Sequence, residues 1–142
     1  MTTNERRLAS RAAFLAGGLA AGLTLVYLVW IASQGTGLES RVVFVASWLI
    51  AAAVLFLIAG FVPAPRRRAP LAGIAACMLL PLAFASLFSI GLTMFAVALI
   101  GGGAASVAAY EGGIGTWQRV GASLLLVAAS TGLLLLGFSL TT

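Results

Sequence analysis

Hydroxyl groups are the main chemical resource inside the apolar runs of this chain: Thr24, Ser47, Ser86, Thr93, Ser106, Ser123, Ser130 and Thr131. A serine or threonine becomes a nucleophile only beside a base. The chain has no His, Asp or Lys, and its acids are Glu5, Glu39 and Glu111, all outside the runs. Ser130 and Thr131, with Gly132 behind them in the middle of the last run, form the pair best placed to line a solute path. The simpler role of each hydroxyl is a hydrogen bond to the carbonyl one turn back or to a neighbouring helix, worth about 0.6–2 kcal/mol in lipid.

Without histidine there is no bis-histidine haem site and no common zinc site. Without an acid or lysine in a run there is no proton relay of the kind ion-coupled carriers use. The sequence thus offers no catalytic residue, no cofactor-binding residue and no metal ligand, and a non-enzyme is expected. Cys77 is alone in an apolar run and reads as a small packing residue. Glu111, at the head of EGGIG, reads as a solvated interfacial acid, with gating or partner binding as the sharper alternative.

The elements that would hold these groups are set by hydropathy. The chain has 142 residues, 62% hydrophobic and 8% charged, with a mean hydropathy of +1.15. A soluble domain carries roughly 25% charged residues, so the class is integral membrane protein. Every base is an arginine: Arg6, Arg7, Arg11, Arg41, Arg66, Arg67, Arg68 and Arg119. The charges fall in four short windows, as lipid demands when a charge at its centre costs about 2.5–3.5 kcal/mol. The basic balance is topological charge, and no nucleic-acid partner is expected, since no basic stripe carries interleaved aromatics. The N-terminal run is about twenty residues and ends near Tyr27 and Trp30, which suits an uncleaved first span better than a signal peptide.

Five spans are expected, at 12–33, 42–62, 71–88, 92–109 and 120–140, in a single all-α membrane domain covering 1–142. Residues 71–109 hold no charge. As one helix those roughly 39 residues would reach about 58 Å, against a hydrocarbon core of about 30 Å. A reversal at Ser89-Ile90-Gly91 divides them, with Gly91 permitting the turn. The rivals are a break at Gly101-Gly102-Gly103, giving four spans, and a re-entrant hairpin. Pro63, Pro65 and Pro70 are expected to keep the connection PAPRRRAP from being helical, with Arg66, Arg67 and Arg68 as headgroup anchors. Pro81 is a second expected helix disturbance. Trp30 and Trp48 should mark the outer interface, and Tyr110 and Trp117 the inner one. With five spans and a cytoplasmic N-terminus, only Arg41 is left outside, which follows the positive-inside rule.

Small residues recur at helical spacing: Ala13, Gly17 and Ala21; Gly18 and Gly22; Gly101, Ala105 and Ala109; Ala128 and Gly132. In lipid such faces let backbones approach closely. Gly17, Gly18, Gly22, Gly101, Ala105 and Gly132 are therefore candidates for helix packing, within this bundle or against a partner.

The stretch RRRAPLAGIAACMLLPLAFASLFSIGLTMFAVAL resembles small, uncharacterised multi-pass membrane proteins of GC-rich bacteria. These share an arginine cluster, an apolar helix, a short FSIG stretch and another apolar helix. The resemblance spans 42–109 and implies a helix break near Ser89–Gly91, but no activity.

The functional expectation is a small subunit of the bacterial inner membrane, embedded in the bilayer and packing as an accessory or scaffold within a larger membrane complex. The alternative is an uncoupled homo-oligomeric transporter, channel or lipid-handling protein.

Overall fold

In lipid, every backbone N–H and C=O must be satisfied inside its own segment, so long apolar runs become helices. The structure, a computed structural model, describes residues 3–35, 39–86 and 91–140, with side chains from residue 7 onward. It contains α1 (Thr3–Ser33), α2 (Ser40–Phe61), α3 (Pro65–Ala85), α4 (Leu92–Glu111) and α5 (Thr116–Leu140). All five are long and apolar enough to cross a membrane. The protein is an all-α, polytopic membrane bundle.

α4 runs without interruption through Gly101-Gly102-Gly103, so the four-span division does not occur. At 20 residues it is about 30 Å long, one hydrocarbon thickness, and so is no re-entrant half-helix. α3 ends at Ala85 and α4 begins at Leu92. Ser89 and Ile90, expected in the reversal, lie outside the described residues. Gly91 is described, and its role differs from the expected one: its φ of −62° is open to any residue. What glycine supplies is space, because a Cβ there would overlap the carbonyl oxygen of Ala83 and meet the backbone of Ser86 at 2.5 Å.

The prolines of PAPRRRAP act differently from the expectation. Pro65 opens α3 at its first helical position, where the missing N–H has no partner to lose. The arginines thus form the first turn of a helix, and Pro70 is tolerated within it. Pro81 also lies inside α3, which continues four residues further to Ala85.

Helices α1 to α4 form a ring: α1 packs on α2, α2 on α3, α3 on α4 and α4 on α1, with the α3–α4 pairing the most extensive. α5 stands outside this ring against α3. The inward stripes repeat every three or four residues, as in Ala13, Ala16, Ala20 and Thr24 of α1 and Val45, Leu49, Ala52, Phe56 and Ala59 of α2. Both sides of each helix are apolar, so side-chain size sorts them. Alanine dominates the interior, while Leu15, Leu19, Leu25, Val26, Leu99, Leu124 and Leu125 face outward.

Large side chains then enter glycine gaps on the neighbouring helix. Phe14 lies over Gly60 and Leu57 over Gly17, a reciprocal lock between α1 and α2. Across the ring, the Phe56 ring of α2 fills the place a side chain at Gly101 of α4 would take. Phe44 does the same at Gly137 of α5 and stacks edge-on against Phe138, with centroids 5.8 Å apart. Leu49, Phe56, Leu79, Met94 and Val97 are the largest side chains wholly buried in the bundle.

Candidate functional site

The helix ends gather charge very unequally. Where α1 starts, α2 ends, α3 starts, α4 ends and α5 starts lie Arg7, Arg11, Arg66, Arg67, Arg68, Glu111 and Arg119. The opposite end carries Arg41 and Glu39. Local contacts tie the rich end together: the Ser10 hydroxyl of α1 donates to the Gly60 carbonyl of α2 at 2.7 Å.

Arginines in the first turn of α3 are electrostatically unfavourable for that helix, whose N-terminus already carries positive partial charge. The neighbouring helices offset this. Arg68 is buried and donates through Nε at 3.1 Å and Nη2 at 2.8 Å to the carbonyl of Val62, the C-cap of α2. Arg66 donates through Nε at 3.0 Å to the carbonyl of Gly112, the C-cap of α4. Two positions apart on a helix, the two side chains diverge by about 200°, which fits the place of α3 between α2 and α4 in the ring. Arg67, between them, is exposed. The cluster expected as a set of headgroup anchors therefore supplies two capping groups and one outward cation.

Replacing Arg68 by alanine should leave the Val62 carbonyl without its charged donor. The expected loss is about 1.5–3 kcal/mol, read as reduced resistance to denaturation in mixed micelles. Arg68→Lys should recover only part of it, because an ammonium cannot reproduce the two-pronged guanidinium contact.

Glu111 departs from the solvated acid expected. Both its carboxylate oxygens are sealed from solvent and accept no hydrogen bond, although the side chain sits beside Arg66 and Pro65 in a shallow recess at this end. Arg119 lies 5.9 Å from the centre of the Tyr110 ring and donates to the Thr116 hydroxyl at 3.1 Å. Tyr110 and Trp117 are strongly exposed here, and Trp30 is exposed at the opposite end, as interfacial aromatics should be. Trp48 is partly buried, and its indole N–H donates to the Met78 carbonyl of α3 at 2.8 Å.

The hydroxyls mostly turn back on their own helices. Thr24 donates to the Ala20 carbonyl, Ser47 to Val43, Ser86 to Leu82 and Thr131 to Val127. Ser130 is buried on the one narrow face by which α5 meets the ring. Cys77 is a free, buried thiol with its sulfur 3.9 Å from the Ser123 carbonyl of α5. Among the described residues, no group of three or more His, Cys, Asp or Glu side chains could hold a metal ion.

The small-residue positions divide cleanly. Gly17 and Gly101 receive side chains from within the bundle, and Ala105 is buried facing Gly73 of α3. Gly18, Gly22 and Gly132 face outward with nothing within 4 Å of where a Cβ would stand. Sequence spacing could not separate Gly17 from Gly18, because both lie in small-residue repeats. The outward-facing Leu15 and Leu19 beside Gly18 are the signal that marks its side.

Together these features define a polytopic α-helical membrane protein whose charged groups gather at one end of the bundle. The chain matches no family model, no curated protein and no solved structure.

Proposed function

We propose that this chain is an accessory or scaffold subunit of the bacterial inner membrane, with its arginine-rich end in the cytoplasm, and that it has no catalytic step or cofactor of its own. The orientation rests on the positive-inside rule applied to Arg7, Arg11, Arg66, Arg67, Arg68 and Arg119 at one end. The partner is a membrane protein rather than nucleic acid.

The carrying observation is the position of α5. Only Ser130 and Leu134 of its 25 residues are buried. Its bare side sets Gly121, Ala128 and Gly132 among exposed leucines. Such a notched apolar face suits close approach by another helix, where packing rather than hydrophobicity drives association. The filled interior supports the scaffold reading over a solute path through one protomer, since Leu49, Phe56 and Leu79 are wholly buried and Phe56 reaches across the ring to Gly101.

Gly132→Leu should therefore leave the chain's own stability within about 0.5 kcal/mol, as an outward substitution does, while reducing recovery of partners. Extraction under conditions that preserve complexes, followed by mass spectrometry, should yield stoichiometric partner subunits with the unaltered chain. Recovery of the free chain or its homo-oligomer alone would contradict the reading.

A further inference from the structure

We propose that the outer face of α1 is a binding groove for one anionic phospholipid, with Arg7 and Arg11 holding the headgroup phosphate and a glycine-hollowed channel below them seating an acyl chain. This goes beyond the scaffold reading and does not depend on it.

The face is continuous. Arg7, Arg11, Leu15, Gly18 and Gly22 follow one another at spacings of three and four residues, with Leu19 four after Leu15, and all are exposed. Arg11, Phe14, Leu15, Gly18 and Leu19 line a single shallow groove that is almost wholly apolar below the arginine. One wall is rigid: the Phe14 ring packs edge-on against Phe61 with centroids 4.7 Å apart and lies over Gly60. Gly18 forms the floor, where the lack of any atom within 4 Å of a Cβ position leaves the channel open.

The depth fits a lipid. Ser33 ends α1 at the far interface, and Arg11 lies twenty-two residues before it. That is about 33 Å along the axis, close to the hydrocarbon thickness of about 30 Å. Arg11 thus stands at phosphate level and Arg7 one turn further out, with the groove descending into the acyl region. Neither guanidinium meets an acceptor among the described residues, unlike Arg66 and Arg68 at the same end of the bundle. Two planar cations one helical turn apart suit a phosphate diester, which guanidinium groups bind with paired hydrogen bonds. A net-negative headgroup is favoured over a zwitterionic one, whose cationic moiety would repel the second arginine.

The full chain, purified and delipidated, is titrated with phosphatidylglycerol and with phosphatidylcholine of matched acyl chains, and bound lipid is counted by native mass spectrometry. One phosphatidylglycerol should be retained in preference to phosphatidylcholine. Arg11→Gln should weaken it about fivefold, the effect of one arginine near a phosphate layer. Arg67→Gln, which removes an exposed arginine from the same end but outside the groove, should change nothing. Gly18→Leu, which fills the channel without touching the bundle, should weaken both lipids together. Equal losses from Arg11→Gln and Arg67→Gln would reduce the effect to general surface charge and overturn the site. Undiminished binding by Gly18→Leu, or displacement of the lipid by millimolar glycerol phosphate, would overturn the role of the groove.

Discussion

Phe56→Ala should destabilise the bundle by about 3–5 kcal/mol, the usual result of emptying a fully buried aromatic site. Phe56 has no exposed surface and reaches across the ring from α2 into the gap at Gly101 of α4. It fills a diagonal that the ring leaves open, because α1 and α3 are the packed neighbours of α4. The complementary change, Gly101→Ala, should cost about 1–3 kcal/mol, since the new methyl overlaps the ring and the ring has nowhere to go. Combining Gly101→Ala with Phe56→Leu should recover part of that loss. A coupling of about 0.5–3 kcal/mol between the two sites is expected from a double-mutant cycle in reversible micellar unfolding. Strict additivity would mean that the two residues do not meet.

The second large effect is at the α3–α4 turn. Gly91→Ala should cost about 3 kcal/mol, the upper end of the overpacking range. A Cβ at this position meets main-chain atoms, the carbonyl oxygen of Ala83 and the backbone of Ser86, rather than a side chain able to rotate away. The Gly91 N–H also donates to the Ser86 carbonyl at 2.8 Å, so the segment cannot move out without losing that bond. A change below about 0.5 kcal/mol in the same unfolding measurement would show that the two helices do not approach this closely. Because φ at Gly91 is helical, the loss would come from space alone.

The number of spans was legible because it depends on length and charge, which a sequence states directly. An uncharged run twice the bilayer thickness has to turn, and Gly91 lies next to that turn. The packing was less legible for a physical reason. In a soluble helix the polar side marks the outside, but here both sides are apolar and only residue size distinguishes them. Ala16, Ala20 and Ala52 inside against Leu15, Leu19 and Ile50 outside follow that rule. Which glycine receives which large side chain depends on neighbours across the ring, and nothing near Gly101 in sequence points to Phe56.

The partners of the charged groups were hidden for the same reason. Arg66 and Arg68 read as headgroup anchors, and the sequence does not show that Pro65 starts a helix that aims them at the carbonyl ends of α4 and α2. Glu111 looked solvated because it stands at the interfacial end of a span, yet the end of α4 turns its carboxylate away from solvent. Trp48 looked interfacial from its position near the start of a span. Its donor is used by α3.

The central claim, five crossings with the arginine-rich ends together on the cytoplasmic side, is tested most directly by labelling single cysteines. Gln34→Cys, Arg67→Cys and Thr116→Cys are placed one at a time in a Cys77→Ala background and exposed to a membrane-impermeant thiol reagent in intact cells. All three positions are exposed on the protein surface. The account predicts labelling at Gln34 from outside, and labelling at Arg67 and Thr116 only after the membrane is opened. Labelling of Thr116 together with Gln34 in intact cells would contradict it.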